Sequence, residues 1–140
     1  MAAAASPVRE SAAMIAGMAP EIDGETWHFC TVADDAVAAL HFPEALGLFR
    51  EAEGVSLILP EEAARRHGFD TAMPMARITL TVHSALDGVG LTAAVAGALA
   101  EEGIACNMVA GYHHDHAFVP RADAARALAI LQELAKRAQA

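Results

Sequence analysis

Cysteine is scarce in this chain of 140 residues, which contains only Cys30 and Cys106. Neither has a CxxC partner, and this excludes a zinc knuckle or a thioredoxin-type site. Each lies within a strand-like apolar run. We therefore expect two buried free thiols and no disulfide.

Basic residues are also few. The 9 lysines and arginines stand against 18 aspartates and glutamates, which gives a formal charge of −9 and a pI near 5.1. Binding to nucleic acid depends on Lys and Arg that displace counterions from phosphates, and an anionic membrane surface also disfavours an acidic chain. We expect no nucleic acid and no membrane among the partners.

Long apolar runs and catalytic signatures are absent from the sequence. No run approaches the roughly 20 apolar residues that cross a bilayer. The start, Met1–Ala5, lacks the basic residues and long apolar stretch of a signal peptide. There is no GxSxG, P-loop, GxGxxG or paired-carboxylate spacing. These observations predict a cytoplasmic protein that is not an enzyme and uses no cofactor.

The second half of the chain has a regular alternation of strand and helix patterns. Apolar and polar residues alternate in Arg77–Ser84, as in a half-buried strand, and Leu91–Glu102 places its apolar residues on one helical stripe. The sequence then predicts strands over Ile104–Gly111 and His116–Pro120 and a helix over Asp123–Arg137. This β-α-β-β-α order lacks only the last strand of a split βαβ sandwich.

The first half is predicted to supply that missing strand. Thr26–Val32 is rich in aromatic and β-branched residues, and Val55–Leu59 is a short apolar run between Gly54 and Pro60. We expect one of these two segments to cover the edge, because an open edge beside an apolar core invites aggregation. Helices are predicted over Val8–Met18, Pro43–Glu51 and Pro60–His67, whereas Asp34–Leu40 is ambiguous.

These patterns predict an α+β, ferredoxin-like architecture. The segment Phe69–Met75, with Pro74 and two methionines, is the best candidate for a linker between the halves. We expect one half over residues 1–72 and another over residues 73–140, interleaved in one compact body because they share strands.

The loop between the predicted strand at 77–84 and the predicted helix at 91–102 carries the clearest functional signal. Asp87, Gly88 and Gly90 lie immediately before the helix. Such a loop offers backbone N–H groups without helical partners, where a small polar ligand can bind. No nucleophile or general base lies in the same segment, so the loop indicates binding and not catalysis.

A second polar cluster, residues 112–116, has the sequence Tyr-His-His-Asp-His. Imidazoles and a carboxylate can hold zinc or a similar ion. Adjacent residues of a tight hairpin point to opposite faces, so only His114 and His116 are expected to converge. No distant ligands complete the set. The favoured interpretation gives Asp115 the role of fixing the hairpin through its backbone and the histidines.

The chain resembles the ACT domain family through these residues. Asp87-Gly88-Val89-Gly90-Leu91 matches the family's Asp-x-x-Gly-Leu loop, although Val89 stands where Pro is commonest, and Glu102-Gly103-Ile104 leads into the next strand as the family's Gly-Ile does. The segment Ile78–Pro120 is similar to a narrower group of small bacterial proteins with two fused ACT-like units and no catalytic domain. The resemblance spans roughly residues 12 to 134.

This resemblance implies two ACT-like units, a homo-oligomer, and regulation of an enzyme of amino-acid metabolism through a bound amino acid. It places the ligand at Ser84–Thr92, where Asp87 would bind the ammonium group and N–H groups of Gly90, Leu91 and Thr92 the carboxylate. Asn107, on the neighbouring strand, is a further candidate. The predicted ligand-binding set is Ser84, Asp87, Gly88, Val89, Gly90, Leu91, Thr92 and Asn107.

Two alternatives remain open from the sequence. Ser84 and Asp87 can instead satisfy N–H groups of the turn and the helix start, which would leave a ligand-free module for oligomerisation or protein interaction. The other alternative is a metal-binding protein that uses the His113–His116 hairpin.

Overall fold

The computed structural model describes residues 6–140, so the prediction made for Met1–Ala5 lies outside the described residues. The contacts divide the chain into two compact units. We call residues 24–75 the central unit, and residues 6–23 together with 76–140 the terminal unit. Both cysteines are free thiols; Cys30 is buried and Cys106 is half-buried.

The central unit is a three-stranded antiparallel sheet with helices. Its strand order is β3-β4-β2, with Trp27 opposite Pro60 and Gly47 opposite Ile58. Burial alternates along β2 and β4, so one face of the sheet forms a small core with α2 and α3. The elements are β2 (Trp27–Val32), α2 (Asp35–His41), β3 (Gly47–Glu51), β4 (Gly54–Pro60) and α3 (Glu61–Arg66).

The helix predicted over Pro43–Glu51 is wrong. A short 3-10 turn covers Phe42–Glu44, and the chain then enters β3, which pairs with β4 through a tight hairpin. Gly54 closes this hairpin at φ +153°, where a Cβ atom would lie 2.4 Å from the carbonyl oxygen of Val32. Four of the five β3 residues are exposed, so the segment has no strand-like alternation of hydrophobicity. Its pairing with β4 decides its structure.

The terminal unit repeats the same order of elements and adds an N-terminal segment. The strand order is β5-β7-β6, and β1 also pairs with β5. The elements are α1 (Ser11–Ala16), β1 (Pro20–Ile22), β5 (Met75–Leu80, whose first residue belongs to the central unit), α4 (Leu91–Glu101), β6 (Asn107–Ala110), β7 (Asp115–Pro120) and α5 (Ala124–Ala138).

The strand that runs beside Ile78–Leu80 is Pro20–Ile22, antiparallel, with Pro20 opposite Leu80. Of the two segments predicted for that place, Val55–Leu59 does not pair with β5. Thr26–Val32 pairs with β4 over Trp27–Val32 and meets β5 at one position, Trp27 with Met75, so it covers only the start of β5. The three residues of β1 carry no strand pattern of their own, so their extended form depends on the partner strand.

The core of the terminal unit forms between its sheet and three helices. Leu91, Val95 and Leu99 are the buried residues of α4, as the predicted stripe requires, and Leu131 of α5 is fully buried with them. Burying each such side chain stabilises the fold by about 1.5–3 kcal/mol. From α1, Met14 enters the same core. This packing fixes the start of α4 against α1, which positions the loop described next.

Among residues 6–140, no helix is both long enough and apolar enough to cross a membrane.

Candidate functional site

The loop between β5 and α4 is held by the N-terminal segment of the chain. The strand predicted to reach Ser84 leaves the sheet after Leu80, and Thr81 then donates its N–H to Met18 O at 2.6 Å. Val8 brackets the next turn: its N–H donates to His83 O at 2.8 Å, and its carbonyl accepts from the Ala85 N–H at 2.7 Å. These bonds hold the loop against the residues that precede β1.

Gly90 is the N-cap of α4, and steric reasons favour glycine at this position. Gly90 has φ +111°, in the region that favours glycine, and a Cβ atom there would lie 2.6 Å from the Ser11 hydroxyl oxygen. No side chain caps this helix in the described chain, 6–140. The first-turn N–H groups of an α-helix have no partner within the helix, so those of α4 remain available.

A cavity of about 150 Å³ lies at this helix start. Its polar side is formed by Ser84 and by Asp115, the first residue of β7, and the Ser84 hydroxyl donates to Asp115 Oδ2 at 2.9 Å. The other residues lining it come from α1, the loop, the start of α4 and the end of β6: Met14, Ala85, Leu86, Gly88, Gly90, Leu91, Thr92 and Ala110.

The cavity combines two opposite electrostatic ends. The Asp115 carboxylate attracts a cation, while the start of α4 carries a partial positive charge that favours an anion by about 0.3–1 kcal/mol. A small zwitterion with an ammonium group and a carboxylate matches both. A simple anion would be repelled by Asp115, and a simple cation would gain nothing from the helix.

Five of the eight predicted ligand residues line this cavity: Ser84, Gly88, Gly90, Leu91 and Thr92. The Gly88 N–H is already used, because it donates to Ala85 O at 2.9 Å.

The other three predicted ligand residues, Asp87, Val89 and Asn107, lie outside the cavity lining. Asp87 Oδ1 accepts from Arg9 Nε at 3.0 Å in an exposed ion pair. Val89 is exposed, and Asn107 is an exposed β6 residue opposite Phe118.

The residue that sequence reasoning assigned differently is Asp115. We predicted that it would fix the hairpin and bond the histidines, but its carboxylate accepts from Ser84, which is 31 positions away. The strand predicted over His116–Pro120 begins one residue earlier, at Asp115. The two side chains meet because the start of β7 lies beside the loop after β5. The spacing of residues along the sequence does not predict this contact.

The hairpin histidines do not form a metal cluster with other ligands. His116 Nδ1 lies 3.1 Å from Thr79 Oγ1, and burial, followed by the nearby charges of Arg77 and His114, lowers the pKa of His116. Within the described range, 6–140, no three His, Cys, Asp or Glu side chains are grouped to hold a metal ion. His116 therefore has a polar partner on the sheet.

Comparison with known proteins identifies the fold on both halves of the chain. ACT domain family models match residues 6–76 and residues 76–133. A Vibrio cholerae protein of unknown function, described as a possible transport protein, is 43% identical over 89% of this chain and 96% of its own, with a TM-score of 0.78. No curated protein matches this chain.

More distant solved structures share the fold alone. The ligand-free regulatory subunit of aspartate kinase from Thermus thermophilus is 10% identical, with 82% of this chain and 95% of that chain covered and a TM-score of 0.62. An Agrobacterium tumefaciens protein is 17% identical, with 83% and 87% covered and a TM-score of 0.62.

Proposed function

Because this chain belongs to the ACT domain family, we propose that it is a regulatory protein that binds a small free amino acid at the start of α4. It carries out no catalysis of its own in this proposal. Occupancy of the cavity changes how the protein interacts with an enzyme of amino-acid metabolism. We further propose that it acts as a homo-oligomer in the cytoplasm.

The observation that carries the proposal is the pair of opposite charges across the cavity. Asp115, oriented by the Ser84 hydroxyl at 2.9 Å, is the acceptor for the ligand's ammonium group. The N–H groups of Leu91 and Thr92, at the uncapped start of α4, receive its carboxylate. The ammonium role therefore moves from Asp87, which is paired with Arg9 at the surface, to Asp115.

The comparisons support the regulatory part of the proposal. One structure with the same fold is the regulatory subunit of an aspartate kinase. The two family models meet at residue 76, which supports two ACT units near the predicted division into 1–72 and 73–140. Residues 6–23 pack within the unit of 76–140, which supports the proposed interleaving.

A thermal-shift screen of the purified protein against the twenty amino acids tests this function. A ligand present at 100 times its Kd stabilises the folded state by about 2.7 kcal/mol. Asp115→Asn keeps the shape of the side chain and removes its charge, so we expect it to abolish most of the shift. Asp87→Asn removes an exposed charge that does not line this cavity, so a ligand whose ammonium group is held by Asp115 should still produce a shift.

Two results would contradict the proposed function. One is the absence of a shift with any amino acid. The other is a shift that Asp87→Asn abolishes and Asp115→Asn leaves intact, because Asp87 would then be the residue that binds the ligand's ammonium group.

A ligand-free oligomerisation or interaction module is the second candidate function. The observation in its favour lies in the central unit, where Leu40, Phe42 and Phe49 are 67–74% exposed. Phe42 and the exposed Leu48 line a common cavity, and neighbouring large apolar side chains on a surface are typical of protein interaction sites. If no amino acid binds, Phe42→Ser should weaken self-association in sedimentation analysis, and unchanged association would exclude this candidate as well.

A further inference from the structure

A second cavity, of about 240 Å³, adjoins the first. We call them the outer and the inner cavity. They share the segment Ser84–Leu86, which lines both, and the outer cavity is completed by residues of the N-terminal segment, by His83 and by Tyr112. A ligand whose charged groups occupy the inner cavity therefore has the outer cavity directly beside it.

Two aromatic side chains, His83 and Tyr112, line the outer cavity. Their ring centroids are 6.5 Å apart with the planes tilted by 47°, and the His113 ring lies 5.5 Å from His83 and 5.1 Å from Tyr112. The three rings therefore form one cluster, and a ligand packs against the side of it that faces the cavity. Tyr112 is 75% exposed, so much of its ring is open to such a contact. A ligand ring gains edge-to-face or offset-stacked contacts there that a branched aliphatic side chain does not.

The rim of the outer cavity is electrically balanced. Arg9 and Asp87 form an ion pair across 3.0 Å, and both side chains also line the cavity. A charged ligand side chain would gain from one member of this pair and be repelled by the other. Because the pair is already neutralised, the rim favours an uncharged group.

Size points in the same direction. Ligand cavities for drug-sized molecules begin at about 300 Å³. Each of these two cavities is smaller than that, whereas together they exceed it. The inner cavity alone accommodates the part common to all amino acids and a very small side chain. A larger side chain has to occupy the outer cavity.

We propose that the outer cavity selects an amino acid with an uncharged aromatic side chain, whose ring packs against His83 and Tyr112. The inference rests on the proposed function, because it assumes that the ammonium and carboxylate groups occupy the inner cavity. Tyr112 is a specificity residue in this arrangement, and it does not contact the charged end of the ligand.

Calorimetric titration with L-phenylalanine, L-leucine and L-alanine tests the proposal. For the unmodified protein we expect L-phenylalanine to bind about tenfold more tightly than either other amino acid, since its ring has two aromatic neighbours. Tyr112→Ala should remove this preference and leave the Kd for L-alanine unchanged. The matched control, Tyr112→Phe, keeps the ring and should keep the preference.

The outcomes separate the two proposals. If L-alanine binds but L-phenylalanine binds no better than L-leucine, or if the preference survives Tyr112→Ala, the aromatic outer cavity is wrong and the inner site stands. If none of the three amino acids binds and the full screen is also negative, the proposed function is wrong and this inference falls with it.

Discussion

The two units share one order of elements and one order of strands, yet α2 and α4, which occupy corresponding places, differ at their N-caps. In the central unit, Asp34 caps α2, and its carboxylate accepts from the Val37 N–H at 3.0 Å. In the terminal unit, the N-cap of α4 is Gly90, and no side chain among residues 6–140 caps this helix. The chain closes one helix start with its own carboxylate, and the other start is where we propose that a ligand carboxylate binds.

The repeated fold therefore does not repeat the lining of the inner cavity. In the central unit α2 has seven residues, whereas the corresponding helix of the terminal unit, α4, has eleven. The central unit also lacks a ten-residue loop such as the one that follows β5, because only Ala33 and Asp34 separate β2 from α2. The long loop, together with α1, is what creates the inner cavity.

The largest effect on this contrast is expected from Gly90→Ala. A non-glycine residue at φ +111° is strained, and its Cβ would collide with the Ser11 hydroxyl, so we expect the free energy of unfolding to fall by about 2–3 kcal/mol. Chemical denaturation measures it. Gly97→Ala is the matched control: it lies within α4 with open space around it and should stabilise by about 0.5–1 kcal/mol. Equal effects of the two variants would refute the steric role of Gly90.

A smaller effect is expected when the closed helix start is opened. Asp34→Ala removes the cap of α2 and should lower the free energy of unfolding by about 1 kcal/mol. Asp34→Ser retains a capping oxygen and should restore most of the loss. Neither variant should alter amino-acid binding in calorimetry, because the cavity belongs to the other unit. A changed Kd would show that the two helix starts do not act separately.

Acidification should affect the two units in different pH ranges, with the smallest changes. The pKa of His116 is lowered from 6.5, first by burial, so the unfolded chain takes up this proton more readily than the folded one. The terminal unit therefore loses stability as the pH falls below about 6.5, and the loss grows until the folded-state pKa is passed. His116→Gln should flatten the Tm profile between pH 7 and 5.5, and an unchanged slope would exclude this residue.

In the central unit the relevant groups are carboxylates. Hydrogen bonds from Arg66 and His67 lower the pKa of Glu44, and those of Glu61 with His28 and Arg65 lower the pKa of Glu61, both from 4.5. Their contributions are present above pH 4.5 and are lost as the pH falls through the lowered pKa values. Glu44→Gln should reduce the loss of Tm below pH 4.5 and leave the profile above pH 5.5 unchanged.

Much of the fold follows from local pattern, and the exceptions share a cause. The α+β ferredoxin-like architecture is confirmed, and the start of α4 at Leu91 was predictable because Gly90 precedes an apolar helical stripe. Pro20–Ile22 and Gly47–Glu51 were not predictable as strands, since both are defined by their partners. Periodicity reports burial on one face, and an exposed or very short strand has little of it.

The sequence predicted which loop forms the candidate site, but it did not predict which carboxylate lies at the site. The glycines and helix start identified the loop, because their conformational demands are local. The carboxylate of the site was predicted to be Asp87, which is next to the glycines in sequence but forms an exposed ion pair with Arg9. The carboxylate at the cavity is instead that of Asp115, which lies on another strand. Such long-range placement depends on strand order, which no local spacing encodes.

The antiparallel pairing of β1 with β5 has a consequence for how the chain reaches this structure. These strands are antiparallel neighbours in the sheet, as in a β-hairpin. In place of a short turn, the central unit, residues 24–75, connects them in sequence. Closing a long flexible loop costs conformational entropy. Within the central unit Trp27 pairs with Met75, so a folded central unit holds the ends of the intervening chain near each other and lowers this cost. The central unit thus takes the place of the turn between β1 and β5.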